Sequence, residues 1–138
     1  MKTITQNLQK LKSSLENKPQ INIVVVTKTR SPEEIQEAIA AGATSIGENR
    51  VQEAEQKFSK IQNIEKIEKR LIGRLQSNKA KKAVKIFDTI DSVDSLKLSQ
   101  KISKAAEDLG KTQRVLLQIN SSGENTKAGF SLCLLYTS

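Results

Sequence analysis

The stretch Ile21-Asn22-Ile23-Val24-Val25-Val26 constrains this chain more than any other, because a run of apolar, β-branched residues suits a strand buried on both faces. Such strands belong to parallel sheets, whose neighbours need a crossover connection, usually a helix. The next residues supply one. Thr27-Lys28-Thr29-Arg30 leads into Ser31-Pro32-Glu33-Glu34, where Ser31 suits an N-cap, Pro32 the first turn and Glu34 the far half of a capping box. Ile35, Ala38 and Ile39 give that helix an inner face, and Gly42 stands where a left-handed cap is wanted.

The strand-then-helix unit repeats along the chain. A leading amphipathic helix over residues 1–17 carries Ile4, Leu8, Leu11 and Leu15 on one stripe. A short strand at 44–47 precedes a helix with Val51, Ala54, Phe58 and Ile61 inward. A third strand at 70–75 precedes a helix capped by Ser77, with Ala80, Ala83, Val84 and Phe87 buried. A fourth at 89–93 precedes a helix capped by Asp94 or Ser95, in which Leu98, Ile102, Ala105, Ala106 and Leu109 face inward and Gly110 ends it. The segment 114–119 is a fifth strand. This α/β alternation fits either a doubly wound open sheet or a (β/α) barrel, and no glycine-rich phosphate-binding string follows the first strand.

Composition narrows the chemistry. The 138 residues suit one domain; no apolar run reaches the roughly 18 to 20 residues of a membrane helix, and no apolar leader is present, so a soluble, cytoplasmic protein is expected. One cysteine, Cys133, cannot form an internal disulfide. With no histidine, the usual zinc and histidine-based sites are excluded and no metal is expected. Chemistry falls to lysines, carboxylates, hydroxyls or a cofactor. The 23 Lys and Arg against 15 Asp and Glu give +8, which favours anionic ligands without naming one. The densest basic stretch runs from Lys69 to Lys85, through Arg70, Arg74, Lys79, Lys81 and Lys82, and contains no acidic residue until Asp88. We read it as a solvated helix face with its approach rather than a nucleic-acid surface, since only Phe87 lies near enough to stack on a base.

In both candidate folds ligands meet the carboxyl ends of the strands. Those ends carry Lys28, then Glu48 and Asn49, then Gly73 and Gln76, then Asp91 to Asp94, then Asn120 to Ser122. Lys28 leaves an Ile/Val strand with its amine at the mouth of the fold. Partial desolvation there would favour the neutral amine that condenses with an aldehyde; a stem that simply carries the ammonium out to water is the alternative.

Five ordered blocks, VVVTKTRSPEEIQEAIAAG, SIGENRVQEA, LIGRLQSNKAKKAV, IDSVDSLKL and LLQINSSGENTKAGF, resemble the pyridoxal phosphate homeostasis protein family over roughly residues 1–130. The resemblance implies a (β/α)8 TIM barrel of the alanine-racemase N-terminal type, of which about the first five strands are present. It implies pyridoxal 5'-phosphate as cofactor, held by a reversible Schiff base on Lys28. The role it implies is that of a monomeric carrier or buffer of pyridoxal phosphate in vitamin B6 and amino-acid homeostasis, without established turnover, serving pyridoxal-dependent apoenzymes. No catalytic residue is assigned. By the same resemblance Asn49 lies beside the cofactor ring and Gly47 and Gly73 permit close backbone approach, with turn chemistry the alternative for the glycines. Gln76, Ser77 and Asn78 match the third block. Asn120 and Lys127 match the loop after strand five, where Lys127 accepts the aldehyde transiently or steers its phosphate, or is a solvated loop lysine.

Departures accompany the matches. Lys69, Arg70 and Arg74 stand where many members have an aromatic or histidine residue, so no histidine role carries over. Residues 131–138 abandon the pattern and read as a truncation or assembly artefact, which places the phosphate-holding loops of strands six to eight beyond Ser138. Two other functions remain open at this point. One is a pyridoxal-dependent amino-acid racemase, which needs a second base when the sole tyrosine is Tyr136. The other is a basic nucleic-acid-associated protein.

Overall fold

The computed structural model describes residues 3–124 and 128–131. Five parallel strands lie in the order β1-β2-β3-β4-β5, namely Val25–Val26, Ser45–Glu48, Glu68–Leu71, Thr89–Val93 and Arg114–Leu117. Strand order that follows chain order without reversal is a sector of a barrel, whereas a doubly wound sheet reverses at a switch point. Five helices accompany the strands: α1 Ile4–Ser14, α2 Pro32–Ala40, α3 Val51–Phe58, α4 Ala80–Ile86 and α5 Leu96–Asp108.

The caps explain most boundaries. Thr3 and Gln6 form a capping box that starts α1, and Ser31 with Glu34 forms another, with Pro32 at the first position of α2. Ser95 rather than Asp94 caps α5, its Oγ accepting from Leu98 N–H at 3.2 Å. Gly42 takes a φ of 96° just past α2, as a left-handed helix stop requires. Ser77 does not cap α4. It opens a 3-10 turn, Ser77–Lys79, and α4 begins after it without a side-chain cap.

Helix-facing strand residues build the core: Ile46, Leu71 and Ile90 are fully buried against α2 to α5, together with Ile35 and Phe87, and Phe58 is buried beside them. The Phe58 and Phe87 rings meet edge-on, with centroids 5.9 Å apart. Two expected inner residues are exposed. Leu109 follows the end of α5, and Leu11 lies off the face of α1 whose Leu8 packs on Ala38 and Ala43.

The first and third strands differ from expectation. The register Val25↔Ile46 places residues 21–23 beyond the start of β2, so they have no facing residue in that strand, and Val26 is exposed rather than buried on both sides. The third strand begins two residues earlier than 70 and ends at Leu71. Its inward-pointing Glu68 and Arg70 hid it from a search for apolar runs.

Candidate functional site

Because all strands run parallel, their carboxyl ends share one rim. Lys28 follows β1, Asn49 follows β2, Gly73 follows β3 and Asn120 follows β5. The fold therefore brings four of the five expected site residues to a common edge. Lys127 lies outside the described residues.

Lys28 is solvent-exposed, which does not match the partial desolvation its position suggested, but the backbone on both sides of it is tightly held. Thr27 is buried; its N–H donates to Gly47 C=O at 2.9 Å and its Oγ1 to Glu48 Oε1 at 2.6 Å. Arg30 N–H donates to Thr27 C=O at 3.0 Å, closing a four-residue turn with Lys28 and Thr29 at its centre. Thr29 takes a φ of 62°, a left-handed conformation that a β-branched residue rarely adopts. Its N–H donates to Glu53 Oε1 at 2.9 Å.

These tethers converge on Lys57. Its Nζ donates to Thr27 C=O at 2.8 Å and to Glu48 Oε1 at 3.0 Å, and pairs with Glu53 Oε1 at 2.8 Å. Glu48 is fully buried, and its second oxygen, Oε2, has no hydrogen-bond partner among the described residues. Burial alone would pull the Lys57 ammonium down. The carboxylates of Glu53 and Glu48 more than offset it and hold Lys57 above its ordinary value. Glu53 lies below its ordinary value, chiefly through its bond from Lys57 and then through Thr29 N–H. Sequence reasoning noted Glu48 only as a strand-end residue and passed over Glu53 and Lys57. The signals were present: Glu48 sits two residues from Ile46 on the helix-facing side, and Lys57 stands between Ala54 and Phe58 on the inner stripe of α3.

Farther along the rim, the turn after β3 presses on the turn after β2. A Cβ on Gly73 would lie 2.3 Å from Asn49 C=O, and Gly73 C=O accepts from Ser92 Oγ at 2.6 Å. What Gly73 admits at close range is therefore the chain's own backbone. Gly47 likewise leaves space for the side chains of Val24 and Ile72. Asn120 uses its side chain inside its own loop: Oδ1 accepts from Ser122 Oγ and Gly123 N–H, each at 3.1 Å, and Nδ2 donates to Glu124 C=O at 2.6 Å. Asn49 and Gln76 line one cleft of ≈ 530 Å³ with Arg50, Glu53, Arg74 and Lys79; Lys28 is not among its walls.

The interior face below the rim is polar. Arg70 Nε donates to both oxygens of Asp91, at 3.2 and 3.1 Å, and its NH1 meets Glu68 Oε1 at 2.8 Å. Asp91 and Glu68 raise the Arg70 guanidinium further above its ordinary value. The basic stretch is thus not an unrelieved positive face, as its sequence suggested. Lys69 pairs with Asp88 at 3.1 Å, Arg74 with Asp94 at 3.5 Å and Lys82 with Glu55 at 2.9 Å, all acids brought by neighbouring elements. Among the described residues no helix is long and apolar enough to cross a membrane.

The family model for the alanine racemase N-terminal domain matches residues 1–134. A pyridoxal phosphate homeostasis protein of Synechocystis sp. is 41% identical over 113 residues, 82% of this chain and 52% of that protein. One from Vibrio alginolyticus is 34% identical over 94% of this chain and 60% of its own length. Among solved structures, PipY of Synechococcus elongatus PCC7942 without PLP superposes with a TM-score of 0.91 at 38% identity, covering 98% of this chain and 62% of PipY. The same protein with PLP bound gives 0.85, covering 93% and 58%. An alanine racemase of Clostridium difficile, at 22% identity and a TM-score of 0.74, shares the fold. The chain thus spans between about half and two thirds of the length of the homeostasis proteins and of PipY.

Proposed function

The chain belongs to the alanine racemase N-terminal domain family, and from that premise we propose that it binds pyridoxal 5'-phosphate through a reversible Schiff base on Lys28. The protein then carries or buffers the cofactor in vitamin B6 and amino-acid homeostasis, releasing it to apoenzymes or amines, and acts as a cytoplasmic monomer. The observation that carries this reading is the contrast at Lys28 between an exposed side chain and immobilised neighbours, Thr27 and Thr29. An amine that reaches solvent from a fixed anchor can meet an aldehyde, form the imine with loss of water, and be released when water or another amine attacks. The likeness to PipY, which has been solved with PLP bound, supports the choice of aldehyde.

The present residues fit the reactive end of such a cofactor. Lys28 supplies the amine, and Asn49, Gly73 and Asn120 fall along the same rim, Gly73 and Asn120 acting through loop shape; Lys127, outside the described residues, is proposed as a further cofactor contact. Residues 1–130 form the first part of the barrel in this reading. The phosphate would be held by segments beyond residues 131–138, where barrels of this type place the loops after their last strands.

The test is the absorption spectrum of the protein mixed with pyridoxal phosphate, in wild type and in Lys28→Ala. An imine band that disappears in the variant, with borohydride trapping the adduct on the peptide containing Lys28, supports the proposal. An unchanged band in Lys28→Ala, or an adduct on another peptide, rejects it.

A further inference from the structure

The residues around Lys28 form a device whose purpose goes beyond the Schiff base itself. We infer that Lys57 is a positioning residue for Lys28: one buried ammonium on α3 ties together the elements that fix the main chain immediately before and after the reactive lysine. The inference rests on the reading that Lys28 is the cofactor lysine.

Three observations carry it. First, Lys57 Nζ contacts three of the groups that fix the flanks of Lys28. It touches Thr27 C=O directly at 2.8 Å, Glu48, which receives Thr27 Oγ1, and Glu53, which receives Thr29 N–H. Second, Thr29 holds a left-handed φ of 62°. Such a conformation in a β-branched residue persists only when its surroundings over-determine it, and here the Glu53 tether and the turn bond from Arg30 N–H to Thr27 C=O do so. Third, Glu48 is wholly buried with Oε2 unpartnered among the described residues, and a well-packed apolar pair often equals or exceeds the stability of such a buried charge pair. The charges hold a shape that hydrophobic packing does not specify. None of the three carboxylate and ammonium groups has to touch the cofactor; they act through the backbone of Lys28.

The experiment uses the protein in its complete form and reads position as well as binding. In cofactor-free protein, hydrogen exchange at the Thr29 amide reports the clamp without any cofactor chemistry. With pyridoxal phosphate added, induced circular dichroism in the imine band reports how rigidly the bound group is oriented. In Lys57→Met we expect Thr29 exchange to accelerate at least tenfold while core amides such as Ile90 keep their protection. The absorption band is expected to persist with its circular dichroism reduced at least twofold, and Lys57→Arg is expected to restore much of that loss. Should Lys57→Met fail to fold, Glu53→Ala removes the Thr29 tether together with one Lys57 ion pair, from a partly exposed site, and the same two changes are expected.

Folded Lys57→Met or Glu53→Ala protein with wild-type Thr29 exchange and wild-type circular dichroism would overturn the inference. Failure of the underlying reading has a different signature. The imine band would survive in Lys28→Ala, whatever Lys57 does to the Thr29 amide.

Discussion

A methyl group on Gly73 would lie 2.3 Å from the carbonyl oxygen of Asn49 and 2.7 Å from its Cα. The turns after β2 and β3 therefore pack backbone to backbone. Gly73→Ala has no flexible side chain to displace, and main chain on the rim must move. We expect it to cost about 1–3 kcal/mol in urea unfolding. Gly47→Ala meets only the side-chain ends of Ile72 and Val24, at 3.0 to 3.2 Å, and is expected to cost less. Equal losses for the two variants would show that the rim turns are looser than this contact implies.

Lys57 and Glu48 give a second prediction. Removing the ammonium in Lys57→Met leaves a fully buried carboxylate with Thr27 Oγ1 as its one side-chain donor among the described residues, and losing one partner of a buried pair costs about 3–5 kcal/mol. Removing both charges, in Glu48→Gln with Lys57→Met, is expected to be less destabilising than the sum of the two single changes. Additive losses measured by chemical denaturation would mean that the two side chains do not act as a unit.

Strand and helix alternation was legible because apolar periodicity and capping residues reflect local physics: Ser31-Pro32 and Ser95 start helices where they should. The third strand was misplaced because a barrel has two different faces. Leu71 meets helices, but Glu68 and Arg70 point to an interior where they satisfy one another and Asp91, so the strand reads as polar sequence. Lys28 was visible from its place after an apolar run. The clamp beneath it was not, since Thr27, Glu48, Glu53 and Lys57 come from three elements and only register and helix phase join them. The same cause makes the basic stretch deceptive: Asp88, Asp94 and Glu55 pair with Lys69, Arg74 and Lys82 across space rather than along the chain.

The clamp should respond to pH with a definite sign. Glu53 titrates below its ordinary 4.5 in the folded protein, so its contribution to stability is complete above that value and is lost as pH falls through the lower folded value. Lys57 is raised above 10.5, so its contribution is complete below that value and is lost as pH rises through the higher folded value. The stability difference between wild type and Glu53→Ala is therefore expected to stay level between about pH 5 and 9 and to shrink on acidification. A difference that grew below pH 4.5 would contradict the assigned direction.

The last prediction concerns β5, whose apolar residues do not join the core: Val115 is 38% exposed, Leu116 50%, Leu117 49% and nearby Ile119 43%. β5 also ends the sheet order, and among the described residues no strand pairs along the outer edge of Arg114–Leu117, although just beyond it Ile119 bridges Phe130 in parallel. An apolar strand with an open edge templates pairing with another chain. Residues 1–138 alone are thus expected to self-associate with rising concentration, read as growing mass in sedimentation velocity. Leu116→Lys places a charge on that edge and should shift the dependence to higher concentration, because pairing would then desolvate or juxtapose like charges. Association should likewise be suppressed in any longer form of the protein in which a sixth strand pairs with β5. A monomer at all concentrations, unfolding in one cooperative step, would mean that the exposed strand is protected in a way its surface does not indicate.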